Sequence, residues 1–196
     1  QQQIISKVEN ENTEEYQPAT SIDNNQINDN KKLIKSKEDV ISESQRILIE
    51  TSSLRGSINL KGALIDDLIL LGYKESLEDN SRNISLLNPD GTSNPYYVEI
   101  GWKTLSNNDA INLPNINTIW RSNNSKLSPD SPVSLFWTND QNIKFSINIS
   151  VDEDYLFNIS QEIENKSTSK LEVFPYRLIK RINQPDTINF FILHEG

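Results

Sequence analysis

One run of the chain leaves little choice of fold. Ile143, Phe145, Ile147, Ile149 and Val151 alternate with Lys144, Ser146, Asn148 and Ser150. A helix turns by about 100° per residue and would scatter these apolar side chains around its circumference. A strand places them all on one face, so the run reads as a half-buried β-strand. After the polar triplet Asp152-Glu153-Asp154 the alternation resumes through Tyr155, Phe157, Ile159 and Ile163, with Asn158, Ser160 and Glu162 outside. Two such runs joined by a short polar turn of three residues predict a β-hairpin.

The same period appears elsewhere. Ile47 and Ile49 flank Leu48; Leu54, Gly56, Ile58 and Leu60 alternate with Arg55, Ser57, Asn59 and Lys61. Tyr96, Val98, Ile100 and Trp102 form another run, as do Val133, Leu135 and Trp137, and the spans 171–179 and 188–193 supply two more. Asn88-Pro89-Asp90-Gly91 is a turn, because Pro fixes φ and Gly takes φ > 0 at no steric cost. Strands at short intervals, with Pro114, Pro129 and Pro132 bounding the Trp120 and Trp137 segments, predict an antiparallel β-sandwich.

Residues 1–45 differ in kind. They hold 12 Asn or Gln, nine Asp or Glu, one aromatic (Tyr16) and no Gly, and their apolar residues form no face. A segment of this composition does not offset its ordering entropy, which predicts a disordered, acidic, Asn/Gln-rich linker before a domain at 46–196. Within it, Leu33, Ile34, Lys37, Val40 and Ile41 approximate helical spacing and suggest a frayed helix over 31–44.

Composition narrows function. The chain of 196 residues carries 19 Lys and Arg against 28 Asp and Glu, a net charge of −9, which opposes a nucleic-acid backbone as partner. Cysteine is absent, excluding disulfides, thiolate metal sites and a Cys nucleophile. Methionine is absent too, as expected of a mature fragment or a trimmed sequence. No stretch is long and apolar enough to span a bilayer; the longest apolar cluster, Ala63 to Leu71, is interrupted by Asp66 and Asp67. The high Asn and Ile content reads as codon bias, and the Asn-x-Ser/Thr matches at Asn83, Asn123, Asn148, Asn158 and Asn165 as its by-product.

No constellation assembles into catalytic, cofactor-binding or metal-binding machinery. His194 is the only histidine, so a multi-His metal site is impossible and a Ser-His-Asp relay has one possible base. With Glu195 it reads as a surface hydrogen-bonded pair rather than an acid–base couple. Asp152, Glu153 and Asp154 supply too few oxygens at the wrong offsets for Ca²⁺ and read as a solvated turn. Asp66 and Asp67, as strand neighbours, point to opposite faces; one is expected to cap a turn and the other to be exposed. Arg177, Lys180 and Arg181 make a thin basic cluster, conceivable for an anionic headgroup but more simply a solvated strand. Tyr96, Tyr97, Trp102, Trp120, Phe136 and Trp137 are core residues by spacing, some of which could line a cleft for apolar peptide.

From Ser52 onward the chain resembles the periplasmic domain of alphaproteobacterial YidC-type membrane protein insertases. The resemblance rests on an ordered series of segments. It begins with Leu54-Arg55-Gly56-Ser57-Ile58-Asn59-Leu60-Lys61-Gly62, Asp66-Asp67-Leu68 and Tyr73, followed by Leu86-Leu87-Asn88-Pro89. Asn94-Pro95-Tyr96-Tyr97-Val98-Glu99-Ile100-Gly101-Trp102, Thr118-Ile119-Trp120, Leu127-Ser128-Pro129 and Pro132-Val133 come next. Leu135, Trp137, Ile149-Ser150-Val151-Asp152, Tyr155-Leu156-Phe157 and Leu193-His194-Glu195-Gly196 complete it.

The resemblance implies a β-supersandwich of galactose-mutarotase-like type, at the periplasmic face of the bacterial inner membrane and tethered by an N-terminal helix absent from this chain. It implies a non-enzymatic accessory domain, without cofactors, of a protein that assists insertion and folding of inner-membrane proteins, alone or with the Sec translocon. Translocon components and nascent membrane proteins are the implied partners. The insertase helices of that family are absent here and its periplasmic domain runs past His194-Glu195-Gly196. The chain is therefore expected to hold the N-terminal portion of the supersandwich, with unpaired strand edges, or to be a split-gene remnant. The fold analogy offers a carbohydrate-binding or mutarotase-like domain as the alternative, on the weaker warrant of fold alone.

Overall fold

A computed structural model describes residues 34–104, 111–168 and 170–183. The expected strand at 188–193, the pair His194 and Glu195, and most of the expected linker lie outside the described residues. What is described is mainly β: eleven strands and one short helix.

The strands are β1 (Arg46–Glu50), β2 (Leu54–Asn59), β3 (Leu64–Lys74), β4 (Asn83–Leu87), β5 (Tyr96–Lys103) and β6 (Arg121–Ser122). They continue with β7 (Lys126–Leu127), β8 (Val133–Thr138), β9 (Ile143–Val151), β10 (Phe157–Asn165) and β11 (Phe174–Arg181). The first sheet has the order β11-β5-β3-β2-β1-β7, with β4 also on β3; the second has the order β10-β9-β8-β6. β3 is long enough to serve two partners on one side, with Ile65 opposite Val98 of β5 and Leu68 to Lys74 along β4. Among the described residues only β1 and β7 pair in parallel. The short link from β6 to β7 carries the chain from one sheet to the other.

The sheets bury their facing apolar rows against each other. β9 contributes the whole row predicted from its sequence: Ile143, Phe145, Ile147, Ile149 and Val151 are each buried, with Phe145 and Ile147 fully so. Opposite lie Ile47 and Ile49 of β1 and Leu54 and Ile58 of β2. Aromatic rings fill the middle. Trp102 stacks on Trp120 at 6.2 Å between centroids and meets the edge of Phe145 at 5.2 Å, and Trp137 tilts against Phe145 at 5.9 Å. Each such pair contributes about 0.5–1.5 kcal/mol beyond its burial.

Several expectations need correction in detail. The β9–β10 hairpin forms with Val151 opposite Phe157, but the connection is Asp152–Leu156, longer than the three-residue turn read from the sequence. Tyr155 leaves the ladder at φ 73. Asp152 drives this, because its Oδ1 accepts the backbone N–H of both Asp154 and Leu156 at 2.8 Å, an Asx-type turn. β11 begins at Phe174 rather than near residue 171. Ser57, expected on a solvated face, is buried. Helix α1 (Lys37–Ser42) occupies part of the 31–44 span where helical spacing was noted, capped by the Ser36 hydroxyl accepting from the Asp39 N–H at 3.1 Å. β4, β6 and β7 were not read from the sequence at all.

Candidate functional site

Two features stand apart from the core: an apolar cleft between the sheets, and a cluster of buried charges behind β3.

Among the described residues the first sheet ends at β11 and the second at β10, and the cleft opens there. Its cavity is about 280 Å³, with Leu54 and Leu68 at its floor and Leu86, Tyr96, Phe157 and Ile179 toward its mouth. Polar side chains reaching backbone tie the two sheets together: Arg177 Nη2 of β11 donates to the Ile159 carbonyl of β10 at 2.7 Å, and Gln161 Nε2 of β10 to the Gly101 carbonyl of β5 at 2.8 Å. Large apolar side chains remain exposed around it. Among the described residues Ile179 is 65% exposed, Tyr155 39% and Leu86 38%. A concave, almost wholly apolar cavity with exposed apolar rims suits extended apolar polypeptide better than a polar substrate.

The charge cluster originates in a register shift. On β3, Asp67 lies opposite Ser57 and Ile65 opposite Ile58, which leaves Asp66 as an extra, unpaired residue. Such a β-bulge re-aims side chains and suspends the rule that strand neighbours face opposite ways. Both carboxylates consequently reach the same Arg46–Ser57 pair. Arg46 Nη2 donates to Asp66 Oδ1, Arg46 Nε to Ser57 Oγ at 2.7 Å, and Ser57 Oγ to Asp67 Oδ2 at 2.7 Å. Lys37 Nζ completes the cluster at 2.8 Å from Asp67 Oδ1. Burial pushes the Asp66 carboxyl above the ordinary aspartate range, and this outweighs the opposing pull of the Arg46 guanidinium. Gly56 makes the bulge possible, since a Cβ there would overlap the Asp67 carbonyl. Asp66 and Asp67 are therefore 2% and 7% exposed, not a turn cap and a solvated residue as the sequence suggested. The signal lay in the sequence as two charges inside the apolar run 63–71; their partners, Arg46 and Lys37, did not stand out.

The remaining predicted residues fall into place individually. Asp152 and Glu153 serve the hairpin turn and its docking: the Glu153 carboxylate accepts from the Ser52 N–H at 2.9 Å and from its hydroxyl, and the Glu153 carbonyl accepts from Ser53 Oγ at 2.8 Å. Lys180 and Arg181 lie on β11 over the rings of Tyr97 and Tyr96, at 5.8 and 4.9 Å, so the basic cluster is partly spent on cation–π contacts. Tyr97, Trp102 and Trp120 are core; Tyr96 lines the cleft; Phe136 lies on the far face of the second sheet beneath Lys144, 5.4 Å away. Tyr176 packs over Gly101 and donates to Glu99 Oε1 at 2.6 Å; burial and that acceptor push its hydroxyl up to about 12. Among the described residues no helix is long and apolar enough to cross a membrane.

Comparison with known proteins places the fold. A family profile described as the YidC periplasmic domain matches residues 46–196. The chain is 42% identical over 161 residues to the membrane protein insertase YidC of Methylorubrum extorquens (strain PA1), covering 82% of this chain and 26% of that protein. It is 48% identical over 157 residues to its counterpart in Rickettsia prowazekii (strain Madrid E), covering 79% and 27%, and 45% identical over 172 residues to that of Rickettsia canadensis (strain McKiel), covering 85% and 30%. The chain thus spans less than a third of the length of these curated relatives. With a profile matched over most of its length and relatives well above the identity at which folds diverge, the chain belongs to the YidC periplasmic domain family.

Proposed function

We propose that this chain is the accessory periplasmic portion of a membrane protein insertase and acts by contact rather than by catalysis. The apolar cleft between β10 and β11 carries this reading. Segments destined for a bilayer are apolar and extended before they insert, and the cleft presents apolar walls, exposed apolar rims and, among the described residues, two strand edges to such a segment. The polar anchors Arg177 and Gln161 hold the cleft open as a preformed groove, which limits the ordering cost of binding. Components of the Sec translocon and nascent inner-membrane proteins are the partners proposed, and the periplasmic face of the inner membrane the location. The reading rests on family membership together with the chemistry of the cleft.

Photocrosslinking in cells tests it directly. A crosslinking amino acid at Ile179, Leu86 or Phe157 should give adducts with nascent membrane proteins or a translocon subunit, and one at Ser150, on the far face of the second sheet, should give none. Adducts at no position, or equally at all four, would overturn the proposal.

A further inference from the structure

Helix α1 is held to the domain in an unusual way. Six residues are too few for a helix to persist alone in water, and none of them is buried. Its own support is local: the Ser36 cap, and Glu38 and Asp39 in the first turn. The strand that follows is different, since β1 pairs on both edges and buries Ile47 and Ile49.

Beside the half-buried Val40 and Ile41, one side chain supplies the polar ties of α1 to the sheet. The Lys37 ammonium has three donors, and all three are used at short range: Asp67 Oδ1 at 2.8 Å, Ser85 Oγ at 2.7 Å and the Leu87 carbonyl at 2.8 Å. The other backbone tie is the Lys35 N–H donating to the Gly91 carbonyl at 3.0 Å. Alongside the helix lies a solvent-connected cavity of about 330 Å³, reached by Val40, Glu43, Ser44 and Asp66. Arg46 Nη1 and Ser44 Oγ are buried in this region without a hydrogen-bond partner among the described residues. Lifting the helix would hydrate two orphaned donors and two buried carboxylates, so the separated state has favourable terms of its own.

We propose that α1 is a detachable strap latched by Lys37. It leaves β3 and β4 as a unit, uncovering the Asp66–Asp67 pair while the sandwich stays folded. The domain then has two states, strap docked and strap released, that differ in whether a pair of carboxylates is covered.

Hydrogen exchange of the full chain tests the strap. In the wild type the Val40 and Glu43 amides should exchange with little urea dependence, through a local opening, whereas β9 amides should follow global unfolding. In Lys37→Met the two α1 amides should exchange about tenfold faster or more while keeping their weak urea dependence, and the β9 amides should keep their steep one. An unchanged rate at Val40 and Glu43 in that variant would overturn the proposal, as would α1 amides that share the steep urea dependence of β9. Should Lys37→Met not fold, the wild type decides alone: an equal urea dependence for α1 and β9 amides means that α1 has no separate opening.

Discussion

β9 and β3 are strands of the same sandwich built on opposite terms. β9 keeps one face dry and one wet along its whole length, and every second residue is apolar. β3 opens with five consecutive buried residues, two of them aspartates. A strand with one wet face sorts its side chains by the period-two rule alone. One covered on both faces does not, and each polar group it buries needs a named partner. The stabilisation of β9 is therefore summed over area, whereas that of β3 depends on individual pairs.

The contrast has measurable consequences. The largest is expected from Phe145→Ala, which removes a fully buried ring that meets both Trp102 and Trp137 and should cost about 3–5 kcal/mol in denaturant unfolding. Arg46→Met should cost about 3 kcal/mol, because it leaves Asp66 buried without its cation. Combined with Asp66→Leu, the same change should return stability to within about 1 kcal/mol of the wild type. A double variant no better than the single one would show that the charges hold β3 by more than pairing.

A smaller effect is expected with pH. Burial raises the folded-state pKa of Asp66 above its unfolded value, so between the two the folded chain keeps a proton that the unfolded chain has lost. This contribution favours folding at low pH and is lost as pH rises through the folded value. Wild type should therefore gain stability relative to Asp66→Asn as pH falls from neutral toward the ordinary aspartate range. Urea midpoints of the two proteins across that range would read it, and a flat difference would mean that Arg46 cancels the burial. Smallest of all, Ser150→Thr on the wet face of β9 should change stability by less than about 0.5 kcal/mol; a larger loss would mean that this face is not free.

The same contrast explains what the sequence revealed. β8, β9 and β10 were legible because each turns apolar side chains to one face and mostly polar ones to the other, and alternation records that directly. Tyr155 misled because its alternation continued the strand phase, while the turn geometry was set by the Asp152 carboxylate. Asp66 and Asp67 misled because a bulge is a property of two strands: it needs Gly56 and Ser57 opposite, and neither shows in β3's own sequence. β6 and β7, with two residues each, are too short to carry any period. The cleft was anticipated only as a possibility for the aromatics, and of these Tyr96 alone lines it.

The order of strands in the two sheets also sets a timetable. β8, β9 and β10 are consecutive in the chain and neighbours in space, so this meander closes on short loops as soon as it is made. The first sheet must wait. β1 meets β7 only when Leu48 finds Lys126, and β5 gains its outer neighbour only when Lys103 finds Phe174. A chain synthesised from its N-terminus exposes the β1 and β5 edges throughout that interval. Among the described strands, the sheet that holds the buried charges is thus the one that depends on distant pairings.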